Sequence, residues 1–335
     1  MIPADVALED LVDTIFELAS GFMAAKYLFV ASELGVFDEL QRRPAGGTEL
    51  AERLAIEPSR VAVLLRGIGA LGLVERRSDR YHNAPAVAAC LTDEAALDLR
   101  PLLRFWDRMN YPLWTRLDSS IRSGKPLASV RLNGEAQRTY SEGVEACSAL
   151  AARVLPDRYD FARHRRLLDL GGGAGTWTQA VLARHPHLNG TLFDLPSAAR
   201  LARERLAPTF ADTRLAILEG DFFVDAIPEG HDVVLIANVL HVFSPTQNQQ
   251  LLASVRQRVE PGTTLLLVDY WTDSAKREPR LAALLAGSFL LTTGEGDVYS
   301  VAAVGSWLEA AGWELVESKP LPIAASLLVA RARSH

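Results

Sequence analysis

Apolar positions change their rhythm once along this chain. In the first hundred residues they recur at helical spacing, and Phe16, Phe22, Ala25, Phe29 and Leu34 mark one helical stretch. Thr48, ahead of an acidic turn, is expected to cap a further helix. Pro58 opens the next one, where its missing N–H costs nothing. The segment GLVERRSDRYHN predicts a hairpin turning at Ser78 and Asp79. Helix, turn, helix and hairpin make a winged-helix unit. From Arg166 the apolar residues gather into short runs: RLLDL, GTLFDL, RLAILEGD, DVVLIANV, TTLLLVDY and SLLVARA, with helical stretches between them. Six strands alternating with helices predict an α/β fold built on a doubly wound sheet.

The change of rhythm divides the chain into residues 1–103 and 104–335, with 104–165 read as a helical linker and lid. That linker holds Phe105, Trp106, Met109, Tyr111 and Trp114. Taken singly, each aromatic suits a helix core. As a group they suit the walls of an aromatic or apolar ligand site. The helix expected at 59–71 carries only Arg60 and Arg66 among many apolar residues. Reading a DNA groove needs polar side chains for base edges and phosphates, so this face fits another protein surface better.

Composition narrows the classes. A length of 335 residues allows two domains. Residues 1–100 hold 16 acidic and 10 basic side chains, so they carry the whole net charge of −6 and the rest is balanced. Neither part has the basic footprint of a nucleic-acid binder. Only Cys90 and Cys147 occur, which fits a reducing cytoplasm rather than a disulfide framework. The acidic N-terminus lacks the basic region of a signal peptide. Apolar windows such as 281–291 are too short and broken to span a bilayer, so no membrane is expected. No pair of histidines has zinc spacing, and no metal is expected. His185 and His187, on a turn between helix and strand, are expected to be solvated, and His231 lies at a turn before the fourth strand.

The chemistry concentrates after the first strand. In RLLDLGGGAGTWTQAVL, Gly171, Gly172, Gly173 and Gly175 strip side chains from a strand-to-helix turn where a ligand can approach the backbone. Asp169 just before the loop disfavours a polyphosphate. In a doubly wound sheet, ligands bind at the carboxyl ends of the strands. Asp169, Asp194, Asp221, Asn238 with His241, and Asp269 fall at or after the ends of five successive strands. Asp194, 19 residues after Gly175, can accept both hydroxyls of a ribose, or cap the helix that begins near Pro196 and Ser197. Asp221 can accept from an adenine amino group, with Phe222 covering the ring face or simply filling core. Asp169 suits a ligand ammonium, or the amides of the glycine loop.

These residues resemble the class I S-adenosylmethionine-dependent methyltransferases, and among them the small-molecule O-methyltransferases of the plant caffeate type and of bacterial natural-product biosynthesis. The resemblance spans nearly the whole chain, through LDLGGGAGT, FDLP, GDFF, NVLHVFSP and WLEAAGW. It implies a Rossmann-like methyltransferase sheet, a winged-helix homodimerisation domain over 1–103 and S-adenosyl-L-methionine bound by 104–335. It implies that Asp169 and the four loop glycines line the methionine part of the cofactor and that Asp194 and Leu195 hold the ribose. Gly220, Asp221, Phe222 and Phe223 would hold the adenine, with Asn238 beside the cofactor and the acceptor. His241 matches the family's general base, and Asp269, 28 residues later, its orienting acid. Phe105, Trp106, Met109, Trp114, Asn238, Phe289 and Thr293 become acceptor-site residues, although Phe289 also lies on an apolar stretch suited to core. Two departures stand out. Val242 follows the base where the family carries Asp. A second acid is expected near GEGDVYS, where Val298 aligns, with Asp297 and Glu295 beside it.

The reaction expected is methylation of a phenolic hydroxyl on a small aromatic molecule, with the reacting atoms aligned by binding. A phenol titrates near 10 and a histidine near 6.5, so full proton transfer costs about 4.8 kcal/mol. Proton transfer then runs together with methyl transfer, or the phenol is acidified. Aliphatic alcohols match worse. C- or N-methylation stays open, and so does a non-methylating reaction on this scaffold: decarboxylation, hydroxylation or a pericyclic closure.

Overall fold

The computed structural model describes residues 8–127, 134–210 and 214–334. They fall into two compact units, residues 1–109 with 142–146, and residues 110–141 with 147–335. The expected boundary at 103/104 lies inside a helix of the first unit.

The first unit contains helices α1 (Leu8–Glu33), α2 (Val36–Arg42), α3 (Gly47–Leu54) and α4 (Pro58–Ala70). The hairpin of β1 (Val74–Arg77) and β2 (Arg80–Asn83) follows, and then α5 (Pro85–Cys90) and α6 (Arg100–Phe105). The hairpin turns where the sequence placed it, with Ser78 and Asp79 at φ 45° and 64°. Pro58 opens α4, and the Glu57 side chain accepts from the Arg60 amide at its N-terminus. Thr48 is not a cap: α3 starts one residue earlier at Gly47, with Gly46 as N-cap and no side-chain cap bond. Two small glycines let the helix begin before the hydroxyl is reached. Helix α1, 26 residues long, is the one described helix long and apolar enough to cross a membrane by length and composition. Its first turn is acidic, with Glu9 and Asp10, and Glu17 and Lys26 lie inside it.

The second unit opens with α7 (Tyr111–Trp114) and α8 (Leu117–Ser123), and α9 (Gly134–Arg158) passes through both units. Then strands and helices alternate: β3 (Arg166–Leu170), α10 (Thr176–Arg184), β4 (Asn189–Asp194), α11 (Pro196–Phe210), β5 (Leu215–Glu219), β6 (Val233–Ala237), α12 (Pro245–Gln257) and β7 (Thr264–Asp269). The last elements are α13 (Arg280–Thr292), α14 (Val301–Ala310), β8 (Trp313–Pro320) and β9 (Ser326–Ala332). The sheet runs β5-β4-β3-β6-β7-β9-β8. Its first five strands are mutually parallel, and β9 and β8 run antiparallel at one side.

Strands β6 and β7 are buried at every position, because helices cover both faces of a parallel sheet. One apolar core lies on each face: Leu167, Val233, Leu235 and Leu266 belong to one, Leu168, Val234, Ile236 and Leu265 to the other. The sheet has seven strands, one more than expected. The unexpected strand is β8, at the sheet's edge, where only Trp313 is buried and Glu, Ser and Lys supply most other positions. An edge strand needs no apolar run, so its sequence signal is weak. The strand order reverses beside β3, and in doubly wound sheets such a reversal sets the ligand crevice at the carboxyl ends of the adjoining strands, here β3, β4 and β6.

Candidate active site

Asp169 is the fourth residue of β3, and the chain then turns through residues 171–175 into α10. Gly175, at φ 83°, is the N-cap of α10. At Gly172 a Cβ would stand 2.8 Å from Asp169 Cγ and 2.8 Å from Leu192 Cγ, so only glycine lets the loop lie this close to the strands. On the other side of the turn, a Cβ at Gly173 would meet nothing within 4 Å. The loop is tight below and open above.

Two carboxylates flank it. Asp169 is 1% exposed, and its Oδ2 accepts from the Thr178 hydroxyl at 2.5 Å. Its Oδ1 is buried with no partner. Burial pushes the Asp169 carboxyl up to about 7; the Asp194 charge adds to this, and the Thr178 bond opposes it. Asp194 Oδ2 accepts from the Gly173 amide at 2.7 Å and Oδ1 from the Leu195 amide at 2.6 Å. Burial raises this carboxyl too. A buried carboxylate oxygen without a donor, beside a loop too tight for side chains, fits a cationic ammonium and repels a phosphate.

After β5, Asp221 Oδ1 accepts from the Phe223 amide at 2.9 Å, and its own amide donates to Asp225 at 2.8 Å. The ring of Phe222 meets Phe223 at 4.9 Å and Phe243 at 5.8 Å between centroids, both edge-on. Gly220 is buried; Leu195 and Phe223 are exposed at the rim. Asn238, just past β6, has a left-handed backbone at φ 56°. Its Nδ2 donates to the Ser148 hydroxyl on α9 at 2.7 Å.

The link that the family resemblance implied is present. His241 sits in a single 3-10 turn (Leu240–Val242) after β6, and Asp269 ends the neighbouring β7. His241 Nδ1 lies 2.6 Å from Asp269 Oδ1, and Asp269 is 1% exposed. The His241 amide also donates to Asp269 Oδ2 at 3.2 Å, and the Tyr270 amide to Oδ1 at 2.9 Å. A carboxylate only accepts, so Nδ1 carries the proton and Nε2 is left as an acceptor. Phe289 of α13 stacks on the imidazole at 4.1 Å between centroids and 17° between planes. The Tyr270 hydroxyl is paired with Cys147 Sγ at 3.1 Å, and burial raises both groups.

The remaining expectations land variously. Val242 is exposed and Val298 buried, so neither supplies charge to the base. Asp297 pairs with Lys276 at 2.5 Å and accepts from the Val298 amide. Trp114 lies against Gly287 of α13 and donates from Nε1 to the Ser288 hydroxyl at 3.2 Å. Thr293 Oγ1 donates to the Phe289 carbonyl at 2.9 Å. Phe105, Trp106 and Met109 belong to the first unit, each half-buried. His185 is not solvated as expected: it is half-buried, its ring lies 5.1 Å from Phe161, and its Nε2 has no partner. Sequence reading missed Thr178 and Ser148. Thr178 was findable, since it follows the loop by one helical turn; Ser148, 90 residues from Asn238, left no signal.

Two family models match this chain: the O-methyltransferase domain over residues 124–314 and the O-methyltransferase dimerisation domain over 16–93. The 3-hydroxy-5-methyl-1-naphthoate 3-O-methyltransferase of Streptomyces sahachiroi is 34% identical over 88% of this chain and 88% of its own. The tetracenomycin polyketide synthesis 8-O-methyl transferase TcmO of Streptomyces glaucescens is 31% identical over 89% and 90%. Among solved structures, the S-adenosylmethionine-dependent methyltransferase SibL is 28% identical with a TM-score of 0.83, covering 96% of this chain and 99% of that one.

Proposed function

This chain belongs to the S-adenosyl-L-methionine-dependent O-methyltransferase family, and on that footing we propose that it methylates a phenolic hydroxyl of a small aromatic natural product with His241 as general base. The observation that carries the proposal is the 2.6 Å bond from His241 Nδ1 to the buried Asp269. The naphthoate relative supports the acceptor class, because a hydroxynaphthoate carries its hydroxyl on a fused aromatic ring.

The bound cofactor supplies a methyl group already activated on a sulfonium. The chain's part is to hold, orient and deprotonate. Asp169 meets the ammonium end through the oxygen that has no protein partner. Residues 171–175 would give the backbone close approach, and Asp194, each of whose oxygens already accepts one main-chain amide, would hold the ribose diol with its remaining lone pairs. Leu195, Gly220, Asp221, Phe222, Phe223 and Asn238 complete the nucleoside side. Asp269 fixes the tautomer of His241, so Nε2 faces the acceptor as a base. As the proton arrives at Nε2, the Asp269 carboxylate stabilises the imidazolium. Full transfer from an ordinary phenol to a histidine costs about 4.8 kcal/mol, which favours phenols acidified by their own substituents.

Residues 1–103 carry homodimerisation in this reading, and residues 104–335 the cofactor. The dimerisation-domain match and the exposed apolar side chains of α1, among them Ile15 and Phe16, support it. A cytoplasmic location fits the free Cys90 and Cys147. The test is incubation with labelled S-adenosylmethionine and a panel of phenols, followed by product mass. Gain of one methyl with matching S-adenosylhomocysteine supports the proposal; acceptor turnover without cofactor consumption overturns it.

A further inference from the structure

We infer that Phe289 is a positioning residue for the base: its ring is the plate that sets the plane of the His241 imidazole, and it is not a wall for the acceptor. The inference rests on His241 being the base. The bond to Asp269 anchors one edge of the imidazole at Nδ1. Within the tolerance of that hydrogen bond the ring can still rock about its Cβ–Cγ bond. The Nε2 lone pair lies in the ring plane, so rocking swings its aim. Phe289 removes this freedom by lying flat on one face, at 4.1 Å and 17°. Tyr270, 6.2 Å away and tilted by 48°, is too distant and too inclined to do so.

Phe289 is itself gripped along α13. A Cβ at Gly287 would stand 2.7 Å from the Trp114 ring, so glycine alone lets the indole lie against the helix. Trp114 Nε1 then bonds Ser288, the residue beside Phe289, at 3.2 Å. Past the ring, Thr293 Oγ1 donates to the Phe289 carbonyl at 2.9 Å and accepts from the Gly296 amide at 2.8 Å. Gly296 lies against the backbone of the base, where a Cβ would fall 2.1 Å from the His241 carbonyl oxygen. The end of α13 therefore holds the ring of His241 on one side and meets its main chain on another. Trp114, expected to wall the acceptor site, acts in this arrangement through α13.

The experiment compares Phe289→Leu with Phe289→Tyr. Leucine keeps apolar bulk and loses the plate; tyrosine keeps the plate. Phe289→Leu should lower kcat about 10- to 100-fold, the scale of a misaimed catalytic group. The acceptor KM should stay within about twofold, and Phe289→Tyr should restore most of kcat. Histidine labelled at 13Cε1 gives a readout independent of turnover: the His241 signal should lose its ring-current shift in Phe289→Leu and keep it in Phe289→Tyr. Unchanged S-adenosylhomocysteine affinity shows that the variants are folded. A raised KM with kcat intact overturns the inference in favour of an acceptor wall, and an unmoved His241 signal overturns the plate itself. His241→Ala run alongside separates the two readings. If it turns over normally, the base assignment fails, and the 13Cε1 signal alone then decides whether Phe289 holds the ring.

Discussion

Replacing Asp169 with Asn tests the reading of the glycine loop most directly. Burial lifts the Asp169 carboxyl to about 7 in the folded chain, against about 3.9 for an unfolded aspartate. Below the lower value both states hold the proton, and the group costs nothing. Between the two values the folded state keeps a proton that the unfolded state has lost, so stability falls as pH rises. Above about 7 both states are ionised and the loss is complete, at about 4 kcal/mol. Asparagine has no proton to lose. From pH 5.5 to 8 the wild type should therefore lose about 2 kcal/mol relative to Asp169→Asn. Urea denaturation of both proteins at matched concentration measures this, and subtraction cancels the groups they share. Ligand binding should show the opposite preference. The ammonium of S-adenosylhomocysteine needs the ionised carboxylate, so wild-type affinity should weaken as pH drops below about 7, by up to about tenfold per pH unit. Asp169→Asn should bind more weakly and show little of this slope in calorimetric titration. Parallel stability curves, or equal affinities at pH 8, refute the reasoning: either the carboxyl is not perturbed or it does not face the ligand.

Three further outcomes follow from the same geometry. His241→Ala and Asp269→Asn should each lower kcat by about 10²- to 10⁴-fold and leave S-adenosylhomocysteine affinity nearly unchanged, since in this reading neither side chain holds the cofactor; steady-state kinetics beside calorimetry reads both, and a matching loss of affinity would place His241 with the cofactor instead. Gly172→Ala forces a Cβ to 2.8 Å from Asp169 Cγ and Leu192 Cγ, so it should cost about 1–3 kcal/mol of stability and displace the loop; wild-type thermal stability and binding would show that the loop has slack. Asp297→Asn should change kcat by less than about twofold, because Asp297 is spent on a half-exposed pair with Lys276; a large loss would restore it as a second support of the base.

The sheet was legible because buried parallel strands announce themselves as apolar runs, and 233–237 is apolar throughout. The pairing of His241 with Asp269 came from the family resemblance; strand order alone placed both at one sheet edge, and the adjacency of β6 and β7 brings them together. Strand β8 was not legible, since at an edge it carries charge where a core strand carries leucine. Thr48 misled because capping depends on where the helix starts, and two glycines moved that start. Of the linker residues grouped by spacing along 105–114, Phe105, Trp106 and Met109 belong to one compact unit and Tyr111 and Trp114 to the other.

Asp169 and Phe289 mark where sequence reasoning stops for a physical reason. Residue type and spacing identify what a side chain can do; its task is set by what remains unpaired around it. Asp169 looked equally able to serve loop amides or a ligand ammonium. The structure gives the Gly173 amide to Asp194 and the Thr178 hydroxyl to one oxygen of Asp169, which leaves the other oxygen buried without a donor. Phe289 looked better suited to core than to an acceptor wall. It does pack against the core, and its ring also lies on the imidazole, with Trp114 and Thr293 bonded to the helix on either side of it. In both cases the decisive partner lies outside the motif. With Val298 uncharged at the aligned position and Asp297 turned to Lys276, orientation by Phe289 is what the structure shows beside the Asp269 carboxylate.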